Sequence, residues 1–188
     1  MIFVTDFADQ AVVLPVALAL AMVLGVLGWW RGLFAWVGAV GGVLTTMLLL
    51  KAGSLVAEGS WGITALGSPS GHTAAACMVY GGLAVLLLRG TAPGLLVAVI
   101  PAAITGLIGT TRVMLTAHTP EEALVGAFVG SLGVVALFFM AGPQPSLRLW
   151  PLAAVAFAVV VVFHGQHLPV EETIQHTVVL WLDADRGT

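Results

Sequence analysis

Apolar residues occupy this chain in long blocks, and the charged residues that interrupt them are few and unevenly spaced. Uncharged stretches run from Gln10 to Trp30, Gly32 to Leu50, Gly59 to Leu88, Gly90 to Thr111, Ala123 to Leu147 and Leu149 to Val170. A helix needs roughly 20 mostly apolar residues to cross the hydrocarbon core, and each stretch offers about that, the third with extra length at its start. Gly and Pro inside such spans are tolerated, because neighbouring helices satisfy the loosened backbone. The pattern predicts an all-α fold: a polytopic membrane protein built as a six-helix transmembrane bundle. Its spans are expected at about 11–30, 33–50, 72–88, 93–111, 121–141 and 149–165, within one membrane domain over 1–188 that ends in an interfacial tail, 166–188.

Composition strengthens that picture. Of 188 residues, 60% are hydrophobic and 8% charged, and the mean hydropathy is +1.09. Such a chain is far more apolar than a water-soluble mixture, so membrane lipids are its expected surroundings, and no nucleic-acid partner is expected. Asp6 and Asp9 precede the first apolar run where a cleavable signal would be basic, so that run is expected to remain in the mature protein. Cys77 stands alone inside the third span, which excludes an intrachain disulfide and predicts a small buried hydrophobe.

Charge then orients the spans. The turns around Arg31, Arg89 and Arg148 each carry one arginine and no acid, whereas Asp6, Asp9, Glu58, Glu121, Glu122, Glu171, Glu172, Asp183 and Asp185 fall on the opposite face. The positive-inside rule puts the arginine turns in the cytoplasm and the loops holding Lys51 to His72 and Arg112 to Glu122 outside, as in a bacterial inner-membrane protein with an outward-facing site. Trp29, Trp30, Trp36 and Trp150 lie close to the arginine turns and are expected to anchor a headgroup boundary. Gly126 and Gly130 are expected to pack against a neighbouring helix of the same chain; oligomeric state stays open, and a homo-oligomer is compatible with the pattern. In the tail, Val178 to Leu182 is too short to cross and is expected along the interface. His164, His167 and His176 are too irregularly spaced for a metal site and read as interfacial polar residues.

Most polar side chains able to do chemistry collect at span ends on one face. Lys51 ends the second expected span, Ser68-Pro69-Ser70-Gly71-His72 opens the third, Arg112 closes the fourth, and His118-Thr119-Pro120-Glu121-Glu122 opens the fifth. Ionisable groups at membrane depth cost roughly 2.5–3.5 kcal/mol each on insertion scales, so they normally line a cavity or site. This set suits a phosphate. Lys51 and Arg112 supply positive charge, Arg112 as a fork for two oxygens. Pro69-Ser70-Gly71-His72 leads into a helix whose first N–H groups lack intrahelical partners and favour an anion, with Gly71 permitting close approach and Ser70 adding a hydroxyl. A neutral His118 can attack phosphorus if its other ring nitrogen donates to a carboxylate, which Glu122 supplies if the short turn folds it back. His72 can protonate the leaving oxygen.

These residues resemble the type 2 phosphatidic acid phosphatase superfamily, in its membrane-embedded branch. Pro69-Ser70-Gly71-His72 looks like the family's central motif, and Arg112, five residues, then His118 is similar to its third; the likeness covers roughly Lys51 to Glu122. It implies that His118 is the nucleophile that becomes phosphohistidine, that His72 is the general acid, and that Lys51, Ser70, Gly71 and Arg112 hold phosphate oxygens, with no metal and no cofactor. The implied substrate is a lipid phosphate or diphosphate such as polyprenyl phosphate or phosphatidic acid. The chain departs from the family twice. The first motif places Arg-Pro after a lysine and six residues, where this chain has Glu58-Gly59. The carboxylate orienting the histidine is usually aspartate, and here it is Glu122, one methylene longer.

Each residue also has an ordinary reading. Thr119 with Glu122 forms a capping box with Pro120 at the first helical position, Ser70 caps the third helix, and Lys51 and Arg112 snorkel at the interface. The loss of the first-motif arginine keeps one alternative open, a relative that binds lipid phosphates as a carrier or scaffold without cleaving them.

Overall fold

The computed structural model describes residues 2–61, 67–145, 149–168, 173–174, 176–178 and 180. The turn carrying Arg148 and most of the 166–188 tail fall outside these residues. The described residues form seven helices and no strand: α1 (Ile2–Asp6), α2 (Gln10–Val26), α3 (Trp30–Trp61), α4 (Gly71–Leu88), α5 (Gly94–Met114), α6 (Pro120–Met140) and α7 (Trp150–Phe163). With α1 counted into the first of them, five are long and apolar enough to cross a membrane. The protein is a helical membrane bundle.

Local chemistry sets most helix ends. Asp9 caps α2, its Oδ1 accepting from the Ala11 N–H at 2.8 Å. Ser70 caps α4 through the Thr73 N–H at 3.4 Å. Thr119 and Glu122 form a reciprocal capping box at the start of α6, with Pro120 in its first turn. Glycines with positive φ end helices at Gly28 (φ 71°) after α2 and Gly142 (φ 71°) after α6.

Two elements differ from the expected spans. α3 continues through Lys51 to Trp61, giving 32 residues, about 48 Å at 1.5 Å per residue. Lys51 therefore lies inside the helix and not at its end: the Lys51–Trp61 segment contains no proline, so a drop in hydropathy changes what surrounds the backbone without interrupting its hydrogen bonds. The sixth apolar segment yields only the 14-residue α7, about 21 Å against a core of about 30 Å. It stops because the chain turns at His164 and Gly165 (φ 82°) and folds back toward α2.

α4 occupies the centre, with Ala74, Ala75, Ala76, Cys77, Met78 and Val79 all buried, and it relaxes into a π-helical turn at Cys77–Gly81. α6 comes against it through glycines. A Cβ on Gly130 would lie 2.6 Å from the Cys77 Cβ, and one on Gly126 would collide with the Ser70 carbonyl oxygen. The two glycines thus pack within the chain, as their spacing suggested. The core runs through α2, α3, α4 and α6 around Leu20, Leu24, Trp36, Met78 and Leu137. The outside is apolar as well, with Leu18, Phe34, Leu95, Phe128, Phe139 and Phe157 exposed, as a lipid-facing surface requires. Of the expected aromatic anchors, Trp30 and Trp150 are exposed, but Trp29 and Trp36 are core residues. The Trp36 indole N–H donates to the Ala17 carbonyl at 2.9 Å, a partner that only the packed bundle supplies.

Candidate functional site

The starts of α2, α4 and α6, the end of α5 and the second half of α3 meet at one end of the bundle, and the polar residues singled out in the sequence stand on them. Lys51 is buried on α3 and reaches α4: a Cβ built on Gly71 would sit 3.6 Å from Lys51 Cε. Gly71 is thus a place where a lysine stem and a helix N-terminus come close. Arg112 lies in the last turn of α5, where its Nη1 donates to Thr5 Oγ1 at 3.4 Å, and its carbonyl accepts from the Ala117 N–H at 3.1 Å, next to His118.

His118 and Glu122 form the best-defined part of the cluster. His118 Nδ1 donates to Glu122 Oε2 at 2.9 Å across four residues. The same carboxylate accepts from the Thr119 N–H at 3.1 Å and, through Oε1, from the Ser68 N–H at 2.7 Å. Glu122 therefore serves as helix cap and as imidazole partner together. Its backbone carbonyl accepts from the Ser70 N–H at 3.0 Å, which ties the start of α4 to that of α6. Gly67 (φ 50°) passes so close that a Cβ would lie 2.6 Å from Glu122 Oε1; only glycine fits that approach. With Nδ1 donating to Glu122, a neutral His118 ring carries its lone pair at Nε2. That atom is buried and has no hydrogen-bond partner among the described residues.

Ser70 is fully buried, and its hydroxyl meets Thr73 Oγ1 at 3.0 Å as well as the Thr73 N–H, so it caps α4. His72 is partly exposed, and its Nε2 stands 3.7 Å from Asp9 Oδ2, within ion-pair reach when the imidazole is protonated. Glu58 is exposed two helical turns beyond Lys51. Comparison of the chain with protein-family models, with characterised proteins and with solved structures finds no match.

Sequence reasoning missed the contribution of the N-terminus. Asp9 is buried beside the cluster, where it faces His72 and also accepts from His167 Nδ1 at 3.2 Å and the Leu168 N–H at 3.2 Å. Asp6 is buried too, with Oδ1 3.9 Å from His167 Nε2. His164 Nε2 donates to the Phe3 carbonyl at 3.0 Å, so both histidines hold the N-terminal segment. Tyr80 adds a further tie, its hydroxyl donating to the Phe7 carbonyl at 2.7 Å. The sequence carried half of this signal: an aspartate directly before an apolar run marks a helix cap. Its approach to His72 spans 63 residues of chain, and no local pattern encodes it.

Proposed function

We propose that this protein is a membrane phosphatase that hydrolyses a lipid phosphate or diphosphate through a phosphohistidine intermediate, in a site facing outward from a bacterial plasma membrane. The observation that carries the reading is the His118–Glu122 pair, in which Nδ1 is held by a carboxylate and the buried Nε2 has no partner among the described residues. Its likeness to the motifs of the type 2 phosphatidic acid phosphatases supports the same assignment. So does the membrane setting, where a headgroup reaches the helix ends laterally from the bilayer.

The chemistry follows from these roles. His118 Nε2 attacks phosphorus and the bond from phosphorus to the ester or anhydride oxygen breaks, while His72 gives that oxygen a proton. Glu122 stabilises the positive charge that develops on the His118 ring. Water then attacks the phosphohistidine, losing a proton to His72, and the P–N bond breaks to release phosphate. Lys51, Arg112 and the N–H groups that open α4, with Gly71 among them, hold the phosphoryl oxygens. Ser70 supports them by fixing the start of α4.

Purified protein supplied with polyprenyl diphosphate or phosphatidic acid should release phosphate, and His118→Ala should lower the rate by at least about 10⁴-fold with the fold intact. Near-normal release by folded His118→Ala would exclude the mechanism. A lipid-phosphate carrier is the second reading, favoured by Glu58, which leaves the site without a cation at that position. Binding of the same lipids with no phosphate release by the wild type would select it.

A further inference from the structure

The opposite end of the bundle holds a cavity of about 480 Å³ between α4, α5 and α6, within the size range of ligand sites, roughly 300–1,000 Å³. Arg89 stands at its mouth and Cys77 at its far end, about 18 Å away along α4. Its walls are apolar, among them Val97, Pro101, Val134 and Phe138. The polar groups at the far end satisfy each other, Cys77 Sγ meeting Ser131 Oγ at 3.7 Å. The mouth is different. Arg89 lies over the Phe138 ring at 5.0 Å, and its Nη1 is buried with no hydrogen-bond partner among the described residues.

A second cation stands nearby. Arg31 is tethered through Nε to the Met140 carbonyl at 3.0 Å, and a Cβ on Gly142 would touch its Cδ at 2.7 Å, so the turn after α6 holds it in place. Burial, and after it the charge of Arg31, keep the Arg89 pKa below the usual arginine value. Every described carboxylate, Asp6, Asp9, Glu58, Glu121 and Glu122, belongs to the other end of the bundle. Arg89 thus stands on the lining of an apolar groove with an unmet donor, Arg31 is close enough for its charge to bear on it, and no internal counter-ion stands at this end among the described residues. The missing piece is an anion with an apolar tail.

We propose that this cavity binds an anionic glycerophospholipid from the leaflet at the arginine end, with its phosphodiester between Arg89 and Arg31 and one acyl chain along the groove toward Cys77. A guanidinium fork suits two phosphate oxygens, and basic pockets between transmembrane helices take anionic headgroups for the same reason. The site is separate from the histidine cluster and does not depend on catalysis there.

The test is lipid retention. The full chain is reconstituted in nanodiscs of equal phosphatidylglycerol and phosphatidylcholine, extracted, and weighed with its bound lipid by native mass spectrometry. Wild type should retain phosphatidylglycerol over phosphatidylcholine by roughly thirtyfold, the combined effect of two arginines near a headgroup. Arg89→Gln should bring the ratio close to one. Arg31→Gln, on an exposed side chain that the fold can lose, should reduce it severalfold. Ala102→Leu, at an exposed position lining the groove, should lower retention of both lipids without removing the preference in what remains. Equal retention of the two lipids by wild type, or a preference that survives both arginine substitutions, overturns the site.

Discussion

At the end of the bundle where α4 and α6 begin, two carboxylates gather most of the nearby donors; at the other end, Arg89 rests on the Phe138 ring with its Nη1 lacking an acceptor among the described residues. Glu122 alone accepts from His118, Thr119 and Ser68, and Asp9 accepts from Ala11, His167 and Leu168. Arg89, by contrast, keeps a buried donor with no described acceptor and a neighbour of like charge. Burial in lipid makes each unmet group costly, so the chain must answer it or leave it for something outside. At the histidine end three buried atoms lack a hydrogen-bond partner among the described residues, Asp6 Oδ1, Arg112 Nε and His118 Nε2, and the last is the atom that the proposed chemistry needs. An imidazole held by a carboxylate at one nitrogen, with the other left unpartnered, suits the proposed attack. A site that leaves a donor and an apolar groove is suited to holding.

Substitutions sharpen the contrast. The largest effect should come from Glu122→Ala, which removes the imidazole's carboxylate and the helix cap together. Phosphate release should fall on the order of 10⁴-fold, by analogy with other histidines that lose an orienting carboxylate, and the cap should cost about 1 kcal/mol of stability. Glu122→Gln keeps an acceptor for the Thr119 N–H and should recover most of the stability but little of the rate. Steady-state kinetics beside thermal unfolding in detergent separates the two; a parallel recovery of both would make Glu122 a structural residue only.

A smaller effect, on stability, distinguishes the helix contacts. Gly126→Ala drives a methyl group into the Ser70 carbonyl, and backbone atoms cannot move aside cheaply. It should cost about 1–3 kcal/mol, the usual penalty of overpacking. Gly106→Ala on α5 meets nothing within 4 Å and should be neutral or stabilise by up to about 1 kcal/mol. Melting temperatures of the two variants in one detergent test this directly, and equal shifts would show that α4 and α6 can separate without loss.

Smallest of all should be Glu58→Ala. The residue is exposed two turns past Lys51, about 10.5 Å along the helix, where solvent and salt screen most of its charge. kcat/KM for a lipid phosphate should change by less than about threefold. A hundredfold loss would place the carboxylate in the reaction and break the division between answering and idle acids.

Much of this molecule was determined by the sequence acting locally. Apolar blocks long enough for a bilayer dictate helices, and the Thr119-Pro120-Glu121-Glu122 segment dictates where α6 starts, because capping groups lie within one turn of the N–H groups they satisfy. The closeness of His118 to Glu122 belongs to the same class, since four residues of a tight turn suffice to bring them together. Local pattern misled where polarity and helix continuity part company: Lys51 looked like the end of a span, yet a helix ends where its hydrogen bonding is broken or capped, and nothing in Lys51–Trp61 does so. The rest was decided by tertiary structure alone. Asp9 reaching His72, Lys51 reaching Gly71, and Arg31 standing near Arg89 join residues distant in the chain. Their meeting depends on how α2, α3, α4 and α6 cross, which is set by glycines small enough to bring helices together and by apolar side chains whose fit is made between segments distant in the chain.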